Sequence, residues 1–427
     1  MKNSQSSLFG VCFFLLMFTV GCTEALGTES GTLGLEVEQV TSGPKHHFFG
    51  YIGQSLTVPW SGDGRYIVAL RTAFHDHMPE PGEAADVVLI DTQRGNRVVR
   101  VDRSRAWNFQ QGTMFYWNPA SPEKQFFFND RDPRTQRVFT VLYDIELHRR
   151  VREYRFDDVP VANGGVCPKG GFFLAINYGR MARLRPVTGY PGLADPTARI
   201  AAPDNDGIFR VDVDSGQRNL LVSFRQLRDL LQNEHEKIDE VGFYINHSLC
   251  SRSGEIVYFY ARARLGDKTM AVNVPCSVGT DGTGLTSHEY IGGHPEWAQD
   301  HRVIGQKGNR QVIYDVQKKK IVGQIATPEI IPGPGGDISL SPDGKWFVNG
   351  YGSGGKNYYV IVRLSDGAHV RSRSFSRGPY ARGDLRIDPA PRWNRTSDAV
   401  LVPCWTEDGT RQMFILRIKQ NATNENR

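Results

Sequence analysis

Seven times along this 427-residue chain a short β-forming run enters a turn and emerges as a second apolar run. The clearest copy is Gly335–Tyr351, GGDISLSPDGKWFVNGY. Ile338 and Leu340 point one way. Ser341-Pro342-Asp343-Gly344 makes the turn, because Pro presets φ and Gly accepts φ > 0. Trp346-Phe347-Val348 then starts a strand rich in β-formers. The same order recurs at 56–70 (LTVPWSGDGRYIVAL), 114–130, 164–179, 247–262, 294–306 and 390–405, at spacings of roughly 40 to 80 residues.

Most copies are followed by a second hairpin, as at 86–101, 138–154, 208–224, 311–325 and 358–375. Four strands per unit and seven units predict an all-β fold, a seven-bladed β-propeller with four-stranded blades. One such unit cannot bury both faces of its sheet, so the units stack in a ring. The last unit lacks an outer hairpin after Ile418, and an N-terminal strand at 46–53 is expected to close the ring. Residues 225–240 have helical spacing and are read as a surface helix. The Pro/Gly-rich stretch 184–207 reads as a rim insertion. Forty-five Gly and 23 Pro suit so many turns.

The formal charge of +5 is mild for this length. It suits an acidic oligosaccharide better than nucleic acid, which would call for a strong basic stripe. At the N-terminus, Lys2 and the apolar run Leu8 to Val20 form a targeting segment. Thr19-Val20-Gly21-Cys22 resembles a bacterial lipoprotein cleavage box, which would make Cys22 the lipidated mature N-terminus. An ordinary secretory signal cut later is the alternative. The expected layout is a signal peptide at 1–22, a polar tether at 23–45, a propeller at 46–420 and a disordered tail at 421–427. The expected place is the bacterial cell envelope, with membrane contact through the lipid alone. Other envelope proteins are possible partners. Of the remaining cysteines, Cys167, Cys250, Cys276 and Cys404, none has metal-finger spacing. Cys250 and Cys276 are close enough in sequence for a bridge; buried, unpaired thiols are the plainer expectation.

Superposing the seven copies locates a candidate site. The last apolar residues before the turns are Trp60, Trp117, Cys167, Cys250, Trp297, Leu340 and Trp393. Three positions earlier stand Thr57, Met114, Gly164, His247, His294, Asp337 and Ala390. In a propeller these positions ring the channel mouth. His247, His294 and Asp337 fall on three consecutive blades, with Asn246 and Asp388 nearby. Two imidazoles and a carboxylate converging there are donors suited to a divalent ion. The alternative is that each bonds a channel water or a neighbouring strand. A second, cationic group comprises Arg71, His75, His77, Tyr178, Arg180, Arg183 and Arg185. Arg forks suit planar oxyanions such as a sugar carboxylate; a solvated charged rim is the alternative. Gln110 and Gln111, in WNFQQG (107–112), either offer amides to a sugar hydroxyl or satisfy backbone at a blade junction.

The SPDGK turn at 341–345 resembles TolB-type propeller repeats. WNFQQG (107–112), GGHPEW (292–297) and RIDPAPRWN (386–394) together resemble the oligogalacturonate-lyase-like seven-bladed propellers. That resemblance implies β-elimination on uronate-containing oligosaccharides, assisted by a divalent ion such as manganese. His294 matches the position of a metal-binding His. By placement, Tyr178 or Arg180 would serve as base or charge neutraliser, with His247 a further catalytic candidate. Where relatives often carry His-Pro before the final Arg-Trp, this chain has Ala390-Pro391, and Asp388 is the substitute at hand. The other function in view is a non-catalytic, TolB-like ligand- or protein-binding propeller.

Overall fold

The computed structural model describes residues 33–50, 56–235, 238–265 and 269–420. Within these residues the chain forms seven antiparallel sheets arranged as the blades of a propeller. Blade 1 runs from His46–Phe48 through Tyr66–Thr72 and Ala85–Asp91 to Arg97–Ser104. Blades 2 to 6 repeat this order. Their innermost strands are Tyr116–Trp117, Ala162–Val166, Gly242–Cys250, Gly292–Trp297 and Asp337–Leu340. Blade 7 has Arg392–Trp393 innermost, then Ala399–Trp405 and Arg411–Gln420.

The ring is closed by an N-terminal strand, but not the expected one. Leu33–Gln39 pairs antiparallel with Arg411–Gln420 as the outermost strand of blade 7. His46–Phe48 instead begins blade 1. The alternation in LGLEVEQ explains the difference, since Leu35 and Val37 pack on the blade 7 core beside Phe414 and Leu416. Residues 33–39 are therefore part of the propeller, not of a tether. The signal segment with Cys22, the start of the tether and the tail 421–427 lie outside the described residues. Among the described residues no helix is long and apolar enough to cross a membrane.

The turn chemistry read from the repeat recurs atom for atom in two blades. Ser341 Oγ donates to Asp343 Oδ1 at 2.6 Å and accepts the Trp346 N–H at 2.9 Å. Ser61, Asp63 and Tyr66 make the same pair of bonds in blade 1, at 2.5 and 2.9 Å. Middle strands such as Ala85–Asp91 and Val138–Asp144 are wholly buried, because neighbouring blades cover both faces. Outer strands such as Lys320–Ile325 are largely exposed.

Two helices interrupt the β pattern. Ser223 caps Phe224–Leu231 with a full capping box to Gln226, so the expected helix is shorter than 225–240. Asn177 caps Tyr178–Leu184 by accepting from the Arg180 N–H. Tyr178 and Arg180 thus open a helix rather than end a strand. All four described cysteines are free, and Cys250 lies against Cys167 rather than Cys276.

Candidate functional site

Several blades carry a backbone distortion near the level where the repeat places the site. Leu56, Met114, His247, Gly293 and Ala390 all have positive φ, at 57°, 58°, 62°, 73° and 43°. The ladder shifts register at the same level, between Asn163 and Gly165, Asn246 and Leu249, and Gly292 and Glu296. Such bulges re-aim a side chain that a regular strand would direct elsewhere. A positive φ at a branched or bulky residue is uncommon and marks a constraint set by the surrounding structure.

His247 and His294, on two such distorted strands, meet Asp337 at the start of the regular strand of the next blade. The His247 and His294 rings stand edge-on with centroids 5.5 Å apart. His294 Nδ1 lies 2.8 Å from Asp337 Oδ1. The other oxygen of Asp337 accepts the Ala390 N–H at 2.8 Å. Asp388 enters from blade 7 and accepts from Arg386 Nε at 2.9 Å.

The two carboxylates are driven apart. Burial works against ionisation of Asp337, but the charge and contact of His294, the Ala390 N–H and Arg392 outweigh it and hold its carboxyl below the usual range. Burial and the neighbouring Asp337 charge push Asp388 up, against the pull of Arg386 and His294. Two residues beyond His294, fully buried Glu296 accepts the Leu340 N–H at 3.1 Å. Burial pushes its carboxyl up to about 7, with Arg392 and Arg252 pulling the other way.

No protein-family model matches the sequence, and no curated protein matches it. Solved structures do match. An oligogalacturonate lyase in complex with manganese superposes over 91% of this chain and 97% of its own, with a TM-score of 0.59 at 12% identity. The oligogalacturonate lyase of Vibrio parahaemolyticus gives 0.55 at 13% identity, over 91% and 98% of the two chains. TolB from Acinetobacter baumannii is a looser match, 0.38 at 12% identity over 91% and 98%. In fold the chain is similar to the oligogalacturonate lyases. At such identities the likeness is one of fold alone.

This lyase-like propeller offers the donor types a divalent ion takes, but they are already engaged. Asp337 holds His294 Nδ1 and the Ala390 N–H, and Arg386 holds Asp388. Ala390 contributes no donor side chain. Among the described residues no three His, Cys, Asp or Glu side chains are grouped to hold a metal ion. Of the expected ligand set, His247, His294 and Asp337 are neighbours, and Asp388 lies close enough to feel the charges of Asp337 and His294.

The residues of the cationic group are held mainly by local partners. Arg180 is 1% exposed and donates to the carbonyl oxygens of Phe243, Thr197, Ile200 and Ala201, with its guanidinium 4.7 Å over the Phe224 ring. It fastens the insertion to blade 4. Tyr178 is equally buried; its hydroxyl donates to Asn163 O at 3.0 Å and its ring stacks on Tyr190 at 4.3 Å. Arg71 is bound by Asp86 at 2.8 Å and Arg183 by Asp195 at 3.0 Å. Arg185 stands on the rim, close enough to Arg262 to repel it.

Gln110 and Gln111 are both buried. Gln110 Nε2 donates to Asp384 O at 3.1 Å and Arg386 O at 3.0 Å. His75 holds the same loop through Leu385 O at 2.9 Å. Gln110 and His75 thus brace the segment that delivers Asp388. The sequence reading missed Arg377, Arg386 and Glu296. Arg386 lies within the RIDPAPRWN stretch, and Glu296 within GGHPEW, so each was in view without a partner to give it a role. Arg377 Nε donates to Ile387 O at 2.9 Å, a contact across a loop that no spacing announces.

Proposed function

We propose that this propeller acts in the bacterial cell envelope on uronate-containing oligosaccharides, cleaving them by β-elimination at the channel mouth. The observation that carries this reading is the His294–Asp337 contact at 2.8 Å, set beside the Arg386–Asp388 pair. Asp337 fixes one ring nitrogen of His294 and leaves Nε2 to accept the proton α to the sugar carboxylate. Arg386, with Arg377 on the same loop, faces the charge that builds on that carboxylate. As the C–H bond breaks, a carbon–carbon double bond forms and the glycosidic C–O bond is released. His247, edge-on to His294, supplies the proton to the departing oxygen. Every step is assigned to the chain's own side chains.

Ala390 favours a second reading, since the family resemblance expects a histidine there. In that reading the same mouth holds an acidic ligand without cleaving it, in the manner of a binding propeller that meets other envelope proteins. The deciding measurement is the ultraviolet absorbance of unsaturated uronate products from pectic, alginate and ulvan fragments, with and without manganese or calcium. A signal lost in His294→Ala supports the lyase. Binding of these fragments by calorimetry with no product supports the second reading. Neither binding nor product overturns both.

A further inference from the structure

Three blade junctions are latched in one way. Trp117 Nε1 of blade 2 donates to Pro59 O beside blade 1 at 2.8 Å. Trp297 Nε1 of blade 5 donates to Leu249 O of blade 4 at 2.7 Å. Trp393 Nε1 of blade 7 donates to Ser339 O of blade 6 at 2.9 Å. In each case the indole stands at the last apolar position before the turn. The carbonyl belongs to the residue just before the matching position one blade earlier.

At the junction of blades 3 and 4 the two matching positions are Cys167 and Cys250, which cannot make that bond. Two free thiols face each other there instead, near enough that each perturbs the other's ionisation. Cys167 is 1% exposed and Cys250 not at all, and both belong to one apolar cluster. The backbones are close here. Ser248 Oγ donates to Gly164 O at 2.9 Å, and a Cβ added to Gly254, in the turn after Cys250, would lie 3.1 Å from Cys167 Sγ.

We propose that Cys167 and Cys250 form a disulfide that ties blade 3 to blade 4 when the chain folds in an oxidising compartment. The exchange takes place while blades 3 and 4 are still docking and both thiols are accessible. The Cys167 thiolate attacks first. It displaces one thiolate from a disulfide oxidant, glutathione disulfide or a disulfide oxidoreductase, and becomes a mixed disulfide. Cys250 gives its proton to solvent before the junction closes and attacks the Cys167 sulfur, releasing the second thiolate. Two cysteines are oxidised and one oxidant disulfide is reduced to two thiols.

The test is to refold the full chain from denaturant in glutathione disulfide, block remaining thiols, and map peptides without reductant. The expected product has lost two hydrogens and links the Cys167 peptide to the Cys250 peptide. Cys276→Ser and Cys404→Ser leave that link in place, while Cys167→Ser and Cys250→Ser remove it. The oxidised wild-type chain should also melt a few degrees above its reduced form. This comparison needs no variant to fold. Recovery of Cys167 and Cys250 in alkylated form from folded, oxidised protein overturns the proposal. So does a link that uses Cys276 or Cys404.

Discussion

Asp337 of blade 6 holds His294 of blade 5 through one oxygen and the Ala390 N–H before blade 7 through the other, each at 2.8 Å. One buried acid therefore spans three blades and orients the imidazole at the channel mouth. Asp337→Asn keeps the shape and removes the charge, so His294 loses both its fixed orientation and the partner of its protonated form. Product formation should fall by about 10²- to 10⁴-fold, the scale of a positioned acid–base group. Steady-state rates on the cleaved fragment check this, with circular dichroism melts to show that the fold persists.

Gln110 offers a milder perturbation of the same site. Its amide spans the carbonyls of Asp384 and Arg386 from the far side of the ring closure. Gln110→Ala should loosen the loop carrying Arg386 and Asp388 without touching the imidazoles. Each lost hydrogen bond is worth about 1 kcal/mol. Binding of an acidic fragment should weaken by about tenfold, more than the melting temperature would lead one to expect. Calorimetry on the variant reads this directly. Unchanged binding would mean the loop does not need the amide.

The blades, the turn chemistry and the meeting of His247, His294 and Asp337 were legible in the sequence because all three follow from local repetition. The turn needs Pro or Ser at its start and Gly at its end, and equivalent positions on a ring must be neighbours. What was not legible depends on contacts between remote segments. Leu33–Gln39 reads as a tether until Arg411–Gln420 is there to pair with it. Arg180 reads as a free cation until residues 197–201 fold back and present their carbonyls. The cysteines read as buried, unpaired thiols, and that is how they stand, but distance in sequence offered only Cys276 as a neighbour for Cys250, whereas the ring sets Cys250 against the matching residue of the preceding blade.

Arg180 supplies a prediction that separates support from catalysis. It is buried against carbonyl oxygens, with Asp195 at 3.9 Å and the charge of Asp206 also acting on it. Arg180→Met would leave those carbonyls without a donor, and a Lys could not span them as a planar fork does. Both variants should lose about 3–5 kcal/mol of stability, the range for breaking a buried charged network. Denaturant midpoints check this. A variant of normal stability that has lost only turnover would restore Arg180 to the catalytic list.

Acid should loosen this propeller earlier than its surface carboxylates would. Burial comes first among the causes that push His75 down to about 3, with Arg411 adding to it and the bond to Leu385 opposing. Burial likewise pushes His47 and His288 down to about 4. A histidine whose folded pKa is depressed contributes stability that is present above the unfolded value of about 6.5 and is lost as pH falls toward the folded value. Each of the three should therefore give up about 2 kcal/mol between pH 7 and pH 5. Urea midpoints measured at those two pH values should fall in the wild type. They should fall less in His75→Gln, which keeps a side-chain donor for Leu385 O and removes one of the protonatable rings. An equal drop in both proteins would show that His75 does not govern the acid limb. The loop that delivers Asp388 rests on His75 Nε2 at 2.9 Å, so fragment binding should be lost over the same window, ahead of global unfolding.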